Sequence, residues 1–236
     1  MSNYDRFREL MSLIEKEIKR LLDITYDTKY SFGELLELGK KESYLVRSVY
    51  GELNMFREIR NLFEHNIDTR KAVIIPDDTV SKLTIIYEKI INPPKIGSFA
   101  KKEPMYFEKD CQIDIVLKEM VKNDFSQVPV MSGGQFYGLL TTNTIARWLG
   151  HRLMEDGIVD NENSIESVMN YEEFKLNYSF MSRHSSLFEV IEEFTKRIEN
   201  YPYFDAILVT EKGDPKQKLL GIVTKSDLPE LYLLVK

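Results

Sequence analysis

One pattern occurs twice in this chain, and it limits the folds open to it. In its fuller copy, Leu220-Gly221-Ile222-Val223-Thr224 reads as a short apolar strand ending in Gly-x-x-Thr. Lys225-Ser226-Asp227-Leu228 follows at once as a helix start. Upstream, Gly138-Leu139-Leu140-Thr141-Thr142-Asn143-Thr144-Ile145 echoes it. A second strand-like run precedes each copy, over 127–131 and 206–210. Turn residues join the runs: Ser132-Gly133-Gly134 in one, Lys212-Gly213-Asp214-Pro215 in the other. Helical spacing comes before each pair, with Ile113, Val116, Leu117 and Met120 in the first copy and Leu187, Val190, Ile191 and Phe194 in the second. Helix-strand-strand-helix, twice over, is a repeat, and repeats have to be recognised before a fold is assigned.

The order of elements, the apolar-Pro-apolar triplet around Pro129 and the Thr-x-x-Asp ending at Asp227 together resemble a tandem pair of CBS (cystathionine β-synthase) domains, over roughly 103–234. The second copy keeps Thr224 and Asp227, while the first keeps Thr141 but has Thr144 where the family expects Asp. Conversely, the first copy keeps Pro129 and the second has Leu208. The resemblance implies an α+β fold of two β-α-β-β-α repeats, packed as a pseudo-twofold module with clefts between the copies. In this family such clefts often hold an adenosine compound: AMP, ADP, ATP, NAD, S-adenosylmethionine or a cyclic dinucleotide such as cyclic di-AMP.

Carried over residue by residue, Asp227 would accept hydrogen bonds from both ribose hydroxyls. Thr224, beside helix-start amides, would bind phosphate. Tyr203, Phe204 and Ala206 lie where the family places the base, and Phe180 with Met181 would wall the pocket. Helix capping is the other reading of this stretch, with Ser226 or Asp227 as N-cap and Pro229 in the first turn. In the first copy Thr144 cannot act as a carboxylate. Thr141, Thr144 and Arg147 then line either a degenerate, anion-selective site or a purely structural repeat.

The N-terminal half reads as all helical. Phe7, Leu10, Met11, Ile14, Ile18, Leu21 and Leu22 share one stripe, Ser31 with Glu34 forms a capping box, and a third helix runs from about Ser43 to His65. Pro76-Asp77-Asp78-Thr79 opens a fourth helix, and Asn92-Pro93-Pro94 stops it. Arg60-Asn61 followed by His65 resembles the R-x4-6-H motif of HEPN domains, which are helical, commonly dimeric and in many cases metal-independent ribonucleases. The chemistry fits: Arg presents a fork of donors to phosphate, and His moves protons near neutral pH. Five residues advance about 500° on a helix, so the two do not share a tight face. An Arg and a His near a helix C-terminus are also favoured by the helix dipole alone.

These readings divide the chain into a helical HEPN-like domain (1–92), a linker (93–103), a first CBS repeat (104–153), an inter-repeat segment (154–175) and a second CBS repeat (176–236). No apolar run approaches the roughly 20 residues of a membrane span, and the first residues lack a signal-peptide pattern. A lone cysteine, Cys111, suits a reducing compartment, so a cytoplasmic location is expected. Residues 1–104 hold 18 Lys/Arg against 17 Asp/Glu and the remainder 14 against 21, so neither half is basic and any RNA contact is local. No metal-ligand spacing joins His65, His151 and His184. Three functions stay open: an adenine-nucleotide-sensing regulator acting on a helical homodimer, a CBS-regulated HEPN-type ribonuclease, and a scaffold.

Overall fold

The computed structural model describes residues 2–25, 28–64, 74–100, 104–155, 163–172, 177–200 and 203–236. The chain forms two compact units. One comprises Met1–Pro94, Ser186–Glu192 and Tyr232–Lys236, and the other Lys95–Ser185 and Glu193–Leu231.

The first unit is helical: α1 (Asn3–Leu21), α2 (Phe32–Glu42), α3 (Tyr44–Glu64) and α4 (Asp77–Ile91). Both α1 and α2 open with a capping box. Ser2 and Ser31 each bond the backbone three residues on, and Asp5 and Glu34 each reach back to the N-cap amide. Each box satisfies two donors that a helix start leaves unpaired. The stripe on α1 buries Phe7, Leu10, Met11, Ile14 and Ile18. Leu21, expected in that stripe, is instead partly exposed, because the helix ends there and the chain turns at Leu22. α1 packs on α4 and α2, and α2 on α3, around Phe7, Met11, Leu35, Leu53, Phe56 and Leu83. Each such side chain contributes on the order of 1.5–3 kcal/mol. Tyr44 packs edge-on to Tyr232 and tilted on Phe188, at 6.0 and 6.2 Å between ring centres, which ties residues 186–192 and 232–236 to this unit.

The second unit carries most of the repeat, with the first turns of the helix Leu187–Asn200 and the end of the helix Leu228–Leu234 belonging to the helical unit. A short helix α5 (Ile96–Phe99) precedes β1 (Phe107–Glu108), α6 (Ile113–Asn123), β2 (Gln127–Ser132), β3 (Gln135–Thr141) and α7 (Thr142–Glu155). A short helix α8 (Ile165–Met169) precedes β4 (Tyr178–Ser182), α9 (Leu187–Asn200), β5 (Ala206–Thr210), β6 (Gly221–Thr224), a 3-10 turn (Lys225–Asp227) and α10 (Leu228–Leu234). Each copy makes a three-stranded sheet, β1-β2-β3 and β4-β5-β6, with the first pairing parallel and the second antiparallel. The registers match: Gln127 faces Thr141 as Ala206 faces Thr224. Gly133 and Gly134 turn the first hairpin at φ +59° and +80°, a region that side chains disfavour.

The Pro129/Leu208 difference has a structural counterpart. Proline offers no N–H to a central strand. β1 is two residues long and pairs only with Val130 and Met131, beyond Pro129. β4 is five residues long and places Phe180 opposite Leu208.

The short helices are exchanged between copies. Ile96 and Gly97 of α5 donate their amides to the carbonyls of Ser185 and Arg183, in the loop between β4 and α9. Ile165 and Glu166 of α8 donate theirs to Cys111 and Lys109, in the loop between β1 and α6. Each copy is therefore closed by the helix that leads the other. Gly97 is required at its position, since a Cβ there would sit 2.8 Å from the Arg183 carbonyl oxygen.

Candidate functional site

The end of the second sheet brings together the residues that the repeat pattern singles out. Strand alternation puts Tyr178, Ala206 and Thr224, paired across β4, β5 and β6, on one face. Thr224 caps the 3-10 turn. Its N–H and its hydroxyl both donate to Asp227 Oδ2, at 2.7 and 3.0 Å. Thr224 is thus the N-cap of the 3-10 turn, with Asp227 folding back on it, and α10 begins directly after Asp227 with Pro229 in its first turn. Asp227 is partly exposed, and its Oδ1 has no protein partner among the described residues.

The other expected pocket residues divide by depth. Phe180 is half-buried and packs against Phe136 of the first copy at 5.1 Å, with Tyr178 completing the cluster at 5.0 Å from Phe136. Met181 alternates to the opposite face of β4. Tyr203 is exposed. Phe204 is fully buried, with its ring against Phe194 at 5.3 Å and Arg197 over it, so it serves the core under α9 rather than a cleft. Ala206 is likewise fully buried.

Four residues that sequence reasoning did not single out belong here. Tyr178 is one, and strict alternation from Phe180 would have found it. The others form a row one step beyond the last paired residues. Lys225 Nζ lies 3.3 Å from Asp205 Oδ1, and Asn177 Nδ2 lies 3.5 Å from Asp205 Oδ2. Asn177 also accepts the Asp205 amide at its carbonyl. Burial raises the Asp205 carboxyl above the ordinary carboxylate range, and Lys225 opposes that shift. Burial, then the nearby Glu172 carboxylate, raises the Tyr178 phenol.

Among the described residues, cavities lie beside both joins between copies. One, of about 360 Å³, is lined by Tyr137, Gly138, Met169, Asn170, Glu172 and Tyr178. Gly138 faces the end of the Met169 side chain, whose methyl would lie 2.3 Å from a Cβ added there, so a larger residue would push that flexible side chain aside. The other, of about 270 Å³, lies among Gly97, Ala100, Arg183, Val209 and Lys218–Leu220.

In the first copy the matching residues are closed on each other. Thr141 and Thr144 are both buried, their hydroxyls are 3.1 Å apart, and the Thr144 amide donates to Thr141 Oγ1. Arg147 Nε donates to the Tyr171 carbonyl. In the helical unit Arg60 forms an ion pair with Glu15 at 3.4 Å, and Asn61 is exposed. His65, expected to act with them, lies outside the described residues. Among the described residues, no group of three or more His, Cys, Asp or Glu is gathered for a metal ion, and no helix is long and apolar enough to cross a membrane.

Comparison with known proteins bears on the second unit. Among solved structures, the chain is similar to the CBS domain pair of protein MJ0100 in complex with 5′-methylthioadenosine and S-adenosyl-L-methionine. The two are 18% identical over 61% of this chain and 99% of that one, with TM-score 0.44. It is similar to CBSX2 in complex with AMP, at 14% identity over 60% of this chain and 98% of that one, with TM-score 0.43. It is also similar to a CBS domain-containing protein from Kribbella flavida, at 13% identity over 59% and 99%, with TM-score 0.45. No curated protein sequence matches it. The CBS domain family itself matches residues 96–151 and 166–233, starting at α5 and ending in α10, and the chain belongs to that family.

Proposed function

We propose that the chain is a regulatory protein whose CBS pair senses an adenosine-containing ligand at the second copy and thereby acts on the N-terminal helical region. The observation that carries this reading is the asymmetry between the copies. Thr141 and Thr144 are buried and satisfy one another, whereas Asp227 commits Oδ2 to Thr224 and, among the described residues, leaves Oδ1 without a protein partner at a partly exposed position. A carboxylate held in that way is oriented before the ligand arrives and still has an acceptor for a ribose hydroxyl. Phe136, Tyr178 and Phe180 supply flat apolar surface near by, the kind of surface on which a purine stacks.

Asp227→Ala should weaken adenosine-ligand binding by about 1.5–3 kcal/mol, the loss of a charged acceptor of hydrogen bonds. Calorimetry with adenosine, AMP, ADP, ATP, S-adenosylmethionine and cyclic di-AMP tests it. If none binds the wild-type chain, the reading fails. If the variant binds as well as wild type, the assigned ribose contact is wrong. The reading includes a homodimer, supported by large apolar side chains left in solvent at Leu62, Ile85, Leu153 and Met154. Light scattering that finds only monomer at micromolar concentration would remove that part.

A further inference from the structure

The turn after Thr224 raises a question of charge. The 3-10 turn and α10 together are too short to lend a phosphate much help from a helix dipole. Two carboxylates, Asp227 and Asp205, belong to the same end of the sheet. Left to these alone, a phosphate bound at Thr224 would meet like charge. The cation in the turn is Lys225, the residue directly after Thr224. It now rests 3.3 Å from Asp205 Oδ1, with the lysine and aspartate side chains 37% and 29% exposed. Asp205 is not left stranded if the lysine moves, because Asn177 also holds it at Oδ2. Asn177 itself is 5% exposed and keeps an unpartnered, buried Oδ1, so the row is not closed on itself.

We infer that Lys225 is the specificity-determining residue of the second-copy site: it leaves Asp205 to pair with a single phosphate, so the site prefers an adenosine monophosphate to both the bare nucleoside and the triphosphate. One lysine beside two carboxylates suits one phosphate and not three. The inference rests on the adenosine-site reading above, and the ligand series separates the two. A lysine pairs with a phosphate as a mobile point charge on a flexible stem, which fits a side chain that changes partner on binding.

The test is calorimetry of adenosine, AMP and ATP, without magnesium, on the full chain as wild type, Lys225→Met and Asp205→Asn. Wild type should bind AMP roughly tenfold tighter than adenosine, and ATP more weakly than AMP, as expected for one charge-assisted contact. Lys225→Met should erase the AMP preference, with the loss falling on AMP. Asp205→Asn should widen the preference, because it removes a carboxylate that competes with the phosphate for the lysine. Adenosine binding by each variant reports that the site is folded. An unchanged AMP-to-adenosine ratio in Lys225→Met, or ATP as the tightest wild-type ligand, overturns the role of Lys225 and leaves the adenosine site standing. If wild type binds neither adenosine nor AMP, both inferences fall.

Discussion

Asp205 links the candidate site to stability through pH. Its pKa is raised in the folded chain, chiefly by burial, so the folded state holds this proton more tightly than the unfolded state does. Such a group contributes stability that is full below its ordinary value, near about 3.9, and is lost as pH rises through the raised value. Asp205→Asn removes that term. The melting temperature of the variant relative to wild type should therefore climb from about pH 4 toward neutrality. Thermal melts across that range check it, and a difference that shrinks with rising pH contradicts the burial argument. Arg60 poses a separate question. Paired with Glu15, and with both side chains about a quarter exposed, it reads as a modest structural contact. A double-mutant cycle of Arg60→Ala and Glu15→Ala should return about 0.5 kcal/mol. If Arg60 served RNA cleavage instead, Arg60→Ala would abolish cutting in an RNA assay at unchanged stability.

Two glycines predict opposite signs. Gly97 in α5 meets the Arg183 carbonyl and Cβ at 2.8 and 3.0 Å from an added Cβ, so Gly97→Ala should destabilise by about 1–3 kcal/mol through overpacking. Gly51 lies inside α3 with nothing within 4 Å of an added Cβ, so Gly51→Ala should stabilise by about 0.5–1 kcal/mol. Denaturant titration of the two variants decides both. The same contrast shows what the residues reveal unaided. Ser31 with Glu34 and the hairpin glycines are local signals, and the structure realises both. α5 is not legible, because four residues have no periodicity and its first amides bond a loop nearly ninety positions away. Phe180 and Met181 read as one wall until pairing with β5 puts them on opposite faces. Phe204 looks like a strand-end aromatic until Phe194 of α9 packs against it. The Asp205–Lys225 pair depends on a cross-strand register across a long hairpin, and no local spacing encodes that register.

Because each copy is closed by the helix leading the other, neither should fold alone. A fragment ending at Glu155 contains α5 but lacks Arg183 and Ser185, and it also lacks α8 to cap the loop at Lys109 and Cys111. We expect that fragment to lack cooperative unfolding and to regain it when residues 156–236 are supplied in trans, as circular dichroism melts would show. The exchange has a further consequence for a chain that is made from one end. Ile96 leaves the ribosome well before Ser185 exists, and at about 5–20 residues per second the wait is roughly 4–18 s. Throughout that interval the amides of Ile96 and Gly97 lack the carbonyls that hold α5 in the finished protein. The first copy is thus synthesised early but finished late, and its apolar leading helix is the part of the nascent chain most in need of shelter.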